Sequence, residues 1–420
     1  MAKGKGVIAS TLGWLSGGWA KDASQGVRSE GALGTSKEIA DFIRGGGGNM
    51  AATGKPITSE RAMRLAAFYR GVNLLTGVLA GARIDIREAG TMQVLRDHPL
   101  NRILNRSPNG WQSGYDFKRY LMQSVLLRGN GYAYKVRSRI GDRKLLRLIP
   151  MAPDSVSCEQ LDDLSLRYTY MRRDGVRMTL TQDEVMHIRG MSLDGVLGVS
   201  ILTYAREVLG IGDAGQEHAG RVFKNGNFLD TVLETEKELG AEGIKNLRQS
   251  LDQYRGDDPS SRTLVLEQGT QLKQLQMSAR DTEFIQQRKL SIIEIAMFLG
   301  VPPALLGFME GAPALGGGGM EQISIGFRTY TLVDWFEAFE GAIERDLLGD
   351  DMSIEAKVDD TGLVRGDFAT RWTGWTRALQ FGAMNPDEVR LREGLPPRAD
   401  GTGGNFYPPP NMASAARQGD

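Results

Sequence analysis

Apolar positions recur along this chain with two periods, and the elements change where the period changes. Leu65, Phe68, Val72, Leu75 and Leu79 sit at helical spacing, which predicts a helix opened by Thr58-Ser59-Glu60 and closed at Gly81. Arg83-Ile84-Asp85-Ile86-Arg87 then alternates as a strand does. A second helix is expected over 114–127, entered from Pro108-Asn109-Gly110 and ended by Gly129-Asn130-Gly131. Residues 132–136 follow as a strand with 145–150 as its partner, and further strands are expected at 166–172, 176–180 and 185–189. The pair at 166–172 and 176–180 is joined in hairpin fashion at Asp174-Gly175. The region therefore reads as α+β with mostly antiparallel pairing.

Two long helices come next, over 200–223 and 281–299, the second with Ile285, Ile292, Ile295, Ala296 and Leu299 on one side. Between them the pattern reads strand 230–234, helix 238–254, strand 263–266 and strand 272–276. A βαββ module inserted between long helices is more informative than any single motif here. Downstream, Gly316-Gly317-Gly318-Gly319 predicts a flexible loop before a helix over 320–348. A strand at 353–358, a helix at 367–381 and a short helix opened by Asn385-Pro386-Asp387-Glu388 complete the series. Residues 1–57, rich in glycine and serine, read as a poorly ordered arm, and the stretch from 398 as a disordered tail.

Composition narrows the classes. Of 420 residues 41% are apolar and 24% charged, as in an ordinary globular chain, and the 54 glycines fall largely in a few tracts. Lys plus Arg equals Asp plus Glu at 51 each, so the net charge is zero. A protein that holds nucleic acid tightly carries a basic excess; a neutral one suits DNA that must slide past. The lone Cys158 excludes an intrachain disulfide. No run of about 18 uncharged apolar residues is present, so no spanning helix is expected. Lys3 and Lys5 before an apolar run have the outline of a signal peptide, but Gly13, Ser16, Gly17 and Gly18 interrupt it.

Candidate chemistry does not assemble. Gly210-Ile211-Gly212-Asp213-Ala214-Gly215 spells a dinucleotide fingerprint, but it follows a helical run instead of the strand the motif needs. It reads as small residues within or beside a helix that permit close helix approach. Gly54-Lys55 lacks both the upstream glycine and the hydroxyl of a phosphate loop. His98, His187 and His218 are scattered without ligand spacing. Asp350, Asp351, Asp359 and Asp360 read as solvated turns about a strand. Arg206, Glu207, Asp213 and Glu217 mark the polar face of one long helix, and Asp281, Glu283, Arg288, Lys289 and Glu294 that of the other. These faces suit solvent, or a channel wall or subunit contact of mixed charge. No nucleophile, base and oxyanion set is legible, and no cofactor is implied.

The order of several stretches resembles the HK97-type family of phage portal proteins. They are Thr58-Ser59-Glu60-Arg61-Ala62, Ser107-Pro108-Asn109-Gly110-Trp111-Gln112, Arg128-Gly129-Asn130-Gly131-Tyr132, Glu184-Val185-Met186-His187-Ile188-Arg189-Gly190 and Phe223-Lys224-Asn225-Gly226. Gly300-Val301-Pro302-Pro303-Ala304-Leu305-Leu306-Gly307 and Asn385-Pro386-Asp387-Glu388-Val389-Arg390 continue it, and the match spans about 58 to 397. The resemblance implies a structural subunit, not an enzyme, in a closed ring of about twelve copies, a dodecamer.

It also implies a division of the chain: an arm at 1–57, an α+β wing at 58–198, a first stem helix at 199–227, a βαββ clip at 228–279 and a second stem helix at 280–307. A tunnel loop, tunnel helix and wing return strand would occupy 308–365, a helical crown 366–397 and a tail 398–420. The channel residues would be Leu315, Gly316, Gly317, Gly318, Gly319, Met320, Glu321 and Gln322, where the glycines replace the Ser-Asn pair expected before Glu-Gln. Arg288, Lys289 and Ile292 would belong to the stem, and Glu238, Lys245, Arg248 and Arg255 to the clip surface that docks terminase. Implied partners are double-stranded DNA, the terminase large subunit, the major capsid protein and a head-tail adaptor, within the virion after assembly in host cytoplasm. A connector or scaffold subunit without a DNA channel, or a metal-dependent nuclease, are the alternative readings.

Overall fold

Thr58 opens the first helix, its hydroxyl accepting from the Arg61 N–H at 3.3 Å. The computed structural model describes residues 51–54, 56–91, 93–141, 143–224, 231–234, 240, 242–245, 271–274, 279–310, 318–360 and 368–407. Helix α1, Ser59–Ala62, stops where Leu65 adopts extended backbone and buries its side chain, and α2, Ala66–Gly81, starts after it. The single helix expected up to Gly81 is thus two. Helix α2 buries Phe68, Val72, Leu75 and Leu79, the spacing read from the sequence.

Strand β1, Arg83–Glu88, follows, then α3, Pro99–Asn105, and α4, Gly114–Arg128. A capping box between Ser113 and Asp116 opens α4, and Gly129 in left-handed backbone closes it. Lys118 of α4 is buried against the end of α2, donating its amine to the Ala82 carbonyl; burial pushes that amine down to about 8.

Among the described residues the sheets are small and every strand pair is antiparallel. Strands β2 (Asn130–Arg137), β3 (Leu145–Met151) and β7 (Val185–Arg189) form one in the order β3-β2-β7. Strands β4 (Val156–Gln160), β5 (Leu166–Met171) and β6 (Arg177–Thr181) form a second. Strand β10, Ile354–Asp359, pairs with β1 across more than half the chain.

That two-stranded sheet survives because side chains cap both its edges. On the β1 side, Asn105 and Asn101 accept from the Ile84 and Ile86 N–H groups at 2.9 and 3.0 Å. On the β10 side, Glu340 and Glu344 accept from the Val358 and Ala356 N–H groups at 2.7 and 3.1 Å.

Helix α5, Ile201–Lys224, packs along α6, Ala279–Leu299, and strands β8 (Thr231–Glu234) and β9 (Gln271–Gln274) between them in sequence pair antiparallel. The expected helix 238–254 is described only at 240 and at 242–245, helical over the latter, and the expected strand 263–266 lies outside the described residues. One long helical run then joins α7 (Gly318–Phe327), a π-helical turn at Arg328–Leu332, α8 (Val333–Ile343) and a second π turn at Glu344–Leu348. Its start differs from expectation, because Gly318 and Gly319 lie in the first turn of α7 and not in a loop. Helices α9, Phe368–Gln380, and α10, Pro386–Arg392, end the series.

Both boundaries of the folded region move outward from the expected ones. Ala51 and Ile57 are buried, and the Ala52 N–H donates to Glu207 of α5 at 2.8 Å. The end of the arm therefore belongs to the core. At the other end, Asp387 accepts from the Arg398 N–H at 2.8 Å and gives its own N–H to the Gly403 carbonyl at 2.9 Å. Residues 398–407 thus fold back on α10 and are no tail.

The candidate channel and contact helices

The dinucleotide-like glycines lie inside α5, where no phosphate could reach a helix N-terminus. They serve packing: a Cβ on Gly210 would collide with the Ala51 methyl, and one on Gly212 would crowd Leu65 at 3.3 Å. What approaches is the arm and the α1–α2 turn, not another helix. The acidic residues of α5 serve the same contact. Arg61 reaches Asp213 at 3.6 Å and Glu217 at 3.4 Å, and Asp213 is 9% exposed. A free polar face for Glu207, Asp213 and Glu217 is therefore corrected: these carboxylates hold the N-terminal segment.

Helix α6 also departs from the expected stripe. Ile295, Ala296 and Leu299 are buried with Ser291, whereas Ile292 is half-buried and Ile285 is exposed. On the outward face stand Leu290 and Met297, seven residues apart, with Phe298 beside Met297. Met297 is 73% exposed. Farther along the chain Ile325, Tyr330 and Val333 are exposed, as are Tyr204 and Ile211 on α5. Apolar surface of this extent on long helices is what an association surface leaves bare in a single chain.

The end of α6 is fixed to the helical run beside it. Gly300 closes α6 at φ +64°, and its carbonyl accepts the Thr331 hydroxyl at 2.5 Å, inside the first π turn. Arg328, at the start of that turn, pairs with Asp360 at 2.6 Å. Lys289 pairs with Glu310 at 2.8 Å, just before residues that the structure does not describe.

The second π turn is held by strands β2 and β7. Arg345 donates to the His187 carbonyl at 2.6 Å, Asp346 accepts from the His187 N–H at 2.8 Å, and Lys135 donates to the Asp346 carbonyl at 2.9 Å. His187 itself is buried. Its Nε2–H donates to Asn130 Oδ1 at 2.9 Å, so Nδ1 is the acceptor of the Tyr168 hydroxyl at 3.1 Å. Burial, then the Arg189 and Arg345 cations, hold the imidazole well below its ordinary range and keep it neutral. His187 is thus a satisfied core residue.

Of the channel residues expected from sequence, Leu315, Gly316 and Gly317 lie outside the described residues. Gly318, Gly319, Met320, Glu321 and Gln322 share the first turns of α7, Gln322 exposed. Arg288 is exposed and Lys289 half-buried on α6. Lys245 is exposed, while Glu238, Arg248 and Arg255 lie outside the described residues. Among the described residues no group of three or more His, Cys, Asp or Glu side chains could hold a metal ion. No described helix is long and apolar enough to cross a membrane.

A braced α+β body that carries long helices with bare apolar faces defines a structural assembly subunit. Comparison with known proteins names the family. The family model described as phage portal protein matches residues 66–394. The portal protein of Enterobacteria phage HK97 is 28% identical over 352 residues, covering 82% of each chain. Among solved structures, the neck of an empty gene transfer agent particle contains a similar chain at TM-score 0.58 and 22% identity, covering 87% of this chain and 96% of that one. A portal protein of the HK97 family from Corynebacterium diphtheriae is similar at TM-score 0.52 and 18% identity, covering 73% and 96%. The chain belongs to the phage portal protein family, a structural family of the phage particle that assembles into oligomeric rings and whose standard role is the DNA channel.

Proposed function

We propose that this chain closes into a ring of about twelve subunits through the outward faces of α5 and α6, each subunit offering one face to the next. The observation that carries this reading is the apolar stripe of Leu290, Met297 and Phe298, exposed on a helix whose opposite side is core. In such a ring residues 315–322 line the narrowest part of the channel, and the DNA passes inward at packaging and outward at ejection. A net charge of zero supports this, since 51 cations balanced by 51 anions provide no strong field to trap a sliding duplex.

The β8–β9 region, 228–279, docks the terminase large subunit during packaging and the head-tail adaptor afterwards. Residues 58–198 form the outer wing and meet the major capsid protein, 366–397 form the crown, and assembly takes place in the host cytoplasm. ATP hydrolysis belongs to the motor, so the subunit needs rigid helices and docking faces instead of a catalytic site.

Negative-stain electron microscopy of the purified chain tests the reading. Uniform rings with a hole about 20 Å or wider, enough for a duplex, are expected. Solid discs or open filaments would overturn it. Deleting 230–276 should leave rings but remove terminase binding; retained binding would move the docking surface elsewhere.

A further inference from the structure

Two antiparallel ribbons of the body diverge, and the space between them is a cleft of about 490 Å³. Strand register shows how it is built. On one wall Tyr132 faces Met151, Tyr134 faces Ile149 and Val136 faces Arg147, all on one side of the β2–β3 ribbon because alternate residues share a face. On the other wall Tyr168 faces Leu180 and Tyr170 faces Met178 across β5 and β6, with Arg172 next along the same side. At the inner end these rows merge in a small core of Tyr132, Met151, Cys158, Tyr168 and Leu180. Toward the hairpin tips they part, so Tyr134, Ile149, Tyr170 and Met178 are left half-buried as an open apolar floor.

The rim is basic. Arg172 and Arg173 line the mouth, Arg172 already paired with Asp174 at 2.9 Å. Arg147 follows Ile149 outward on the opposite wall. The guanidinium groups of Arg147 and Arg173 are exposed and make no ion pair among the described residues. An apolar floor of this volume takes one or two large side chains. Unpaired guanidinium groups on both sides of it favour carboxylates, which they can meet with two parallel hydrogen bonds.

We propose that this cleft binds an extended acidic peptide segment of a partner protein, with an aromatic or large aliphatic side chain on the floor and flanking carboxylates on Arg147 and Arg173. A nucleic acid fits less well, because half of the floor, Ile149 and Met178, is aliphatic and gives a base no aromatic face to stack on. All of its residues belong to one subunit, on β2, β3, β5 and β6 and the turn that joins the last two.

The test uses the full chain and a short fluorescein-labelled peptide in which tryptophans are set among glutamates. Its controls carry lysines for the glutamates or serines for the tryptophans, and a labelled oligothymidylate is a further probe. Fluorescence anisotropy should show binding of the acidic aromatic peptide only. Joint replacement R147E with R173E should weaken it about tenfold or more and raise affinity for the lysine peptide. Both positions are exposed and unpaired, so thermal unfolding of the variant should match the parent. Equal binding of the serine peptide, preference for the oligonucleotide, or unchanged affinity in the doubly reversed variant would each overturn the proposal, as would no binding at all.

Discussion

The Thr331 hydroxyl donates to the Gly300 carbonyl at 2.5 Å, joining the residue that closes α6 to a π-helical turn thirty-one positions on. A π turn widens the helix by one residue and needs a local reason to persist. Here the reason is on both sides of the contact. Gly300 requires left-handed backbone, and a Cβ built on it would meet the Thr331 methyl at 2.9 Å.

Gly300→Ala should therefore lower stability by about 1–3 kcal/mol, from backbone strain and the crowded methyl. Thr331→Ser keeps the hydroxyl and removes that methyl. Denaturant unfolding of both single variants and the pair should show less than additive loss. Strict additivity would mean that the two residues do not share this contact.

His187 sets an acid limit on stability. Its folded form is neutral, with Tyr168, Asn130, Tyr132, Arg189, Arg345 and Asp346 around it. The folded value is depressed, so the unfolded chain binds the extra proton first. This contribution is intact above about 6.5, the value of a free imidazole, and is lost as pH falls from there toward the folded value. The slope approaches about 1.4 kcal/mol per pH unit. Urea midpoints measured between about pH 7 and 5 should fall in the parent and fall less steeply in His187→Asn. Parallel curves would contradict a neutral, buried imidazole.

Asp387 holds the terminal segment. Asp387→Ala removes the acceptor of the Arg398 N–H and should cost about 1 kcal/mol. Hydrogen exchange should quicken at residues 398–403 before it changes in β2 or β7. Unaltered exchange at 398–403 would show that the fold-back rests on other contacts.

Much of the body could be read from the sequence because its signals are local. Thr58 and Asn385 each precede a helix and each caps it, and the alternation at 83–87 and the hairpin at Asp174-Gly175 are strands as expected. What was missed depends on distant partners. Val156-Ser157-Cys158-Glu159-Gln160 is too polar to read as a strand until β5 pairs with it, and α3 is short and starts only with Pro99. Nothing local marks the π turns, which are held by Gly300, Asp360 and His187. The burial of Asp213 follows from Arg61, one hundred and fifty-two positions earlier. The exposed stripe of Leu290, Met297 and Phe298 on α6 was hidden for a further reason: the isoleucines of that helix fit a helical core face, and only packing tells which face is used.

Light scattering coupled to size exclusion, on the parent chain and on a variant with L290D and M297D, decides whether the ring closes through this face of α6. Both side chains are exposed in the single subunit, so carboxylates there should leave folding intact. If α6 carries the ring contact, the parent has a mass of about twelve subunits and the variant that of one subunit, with unchanged thermal unfolding. A variant that still forms rings of the parent's mass would contradict assembly through this face of α6.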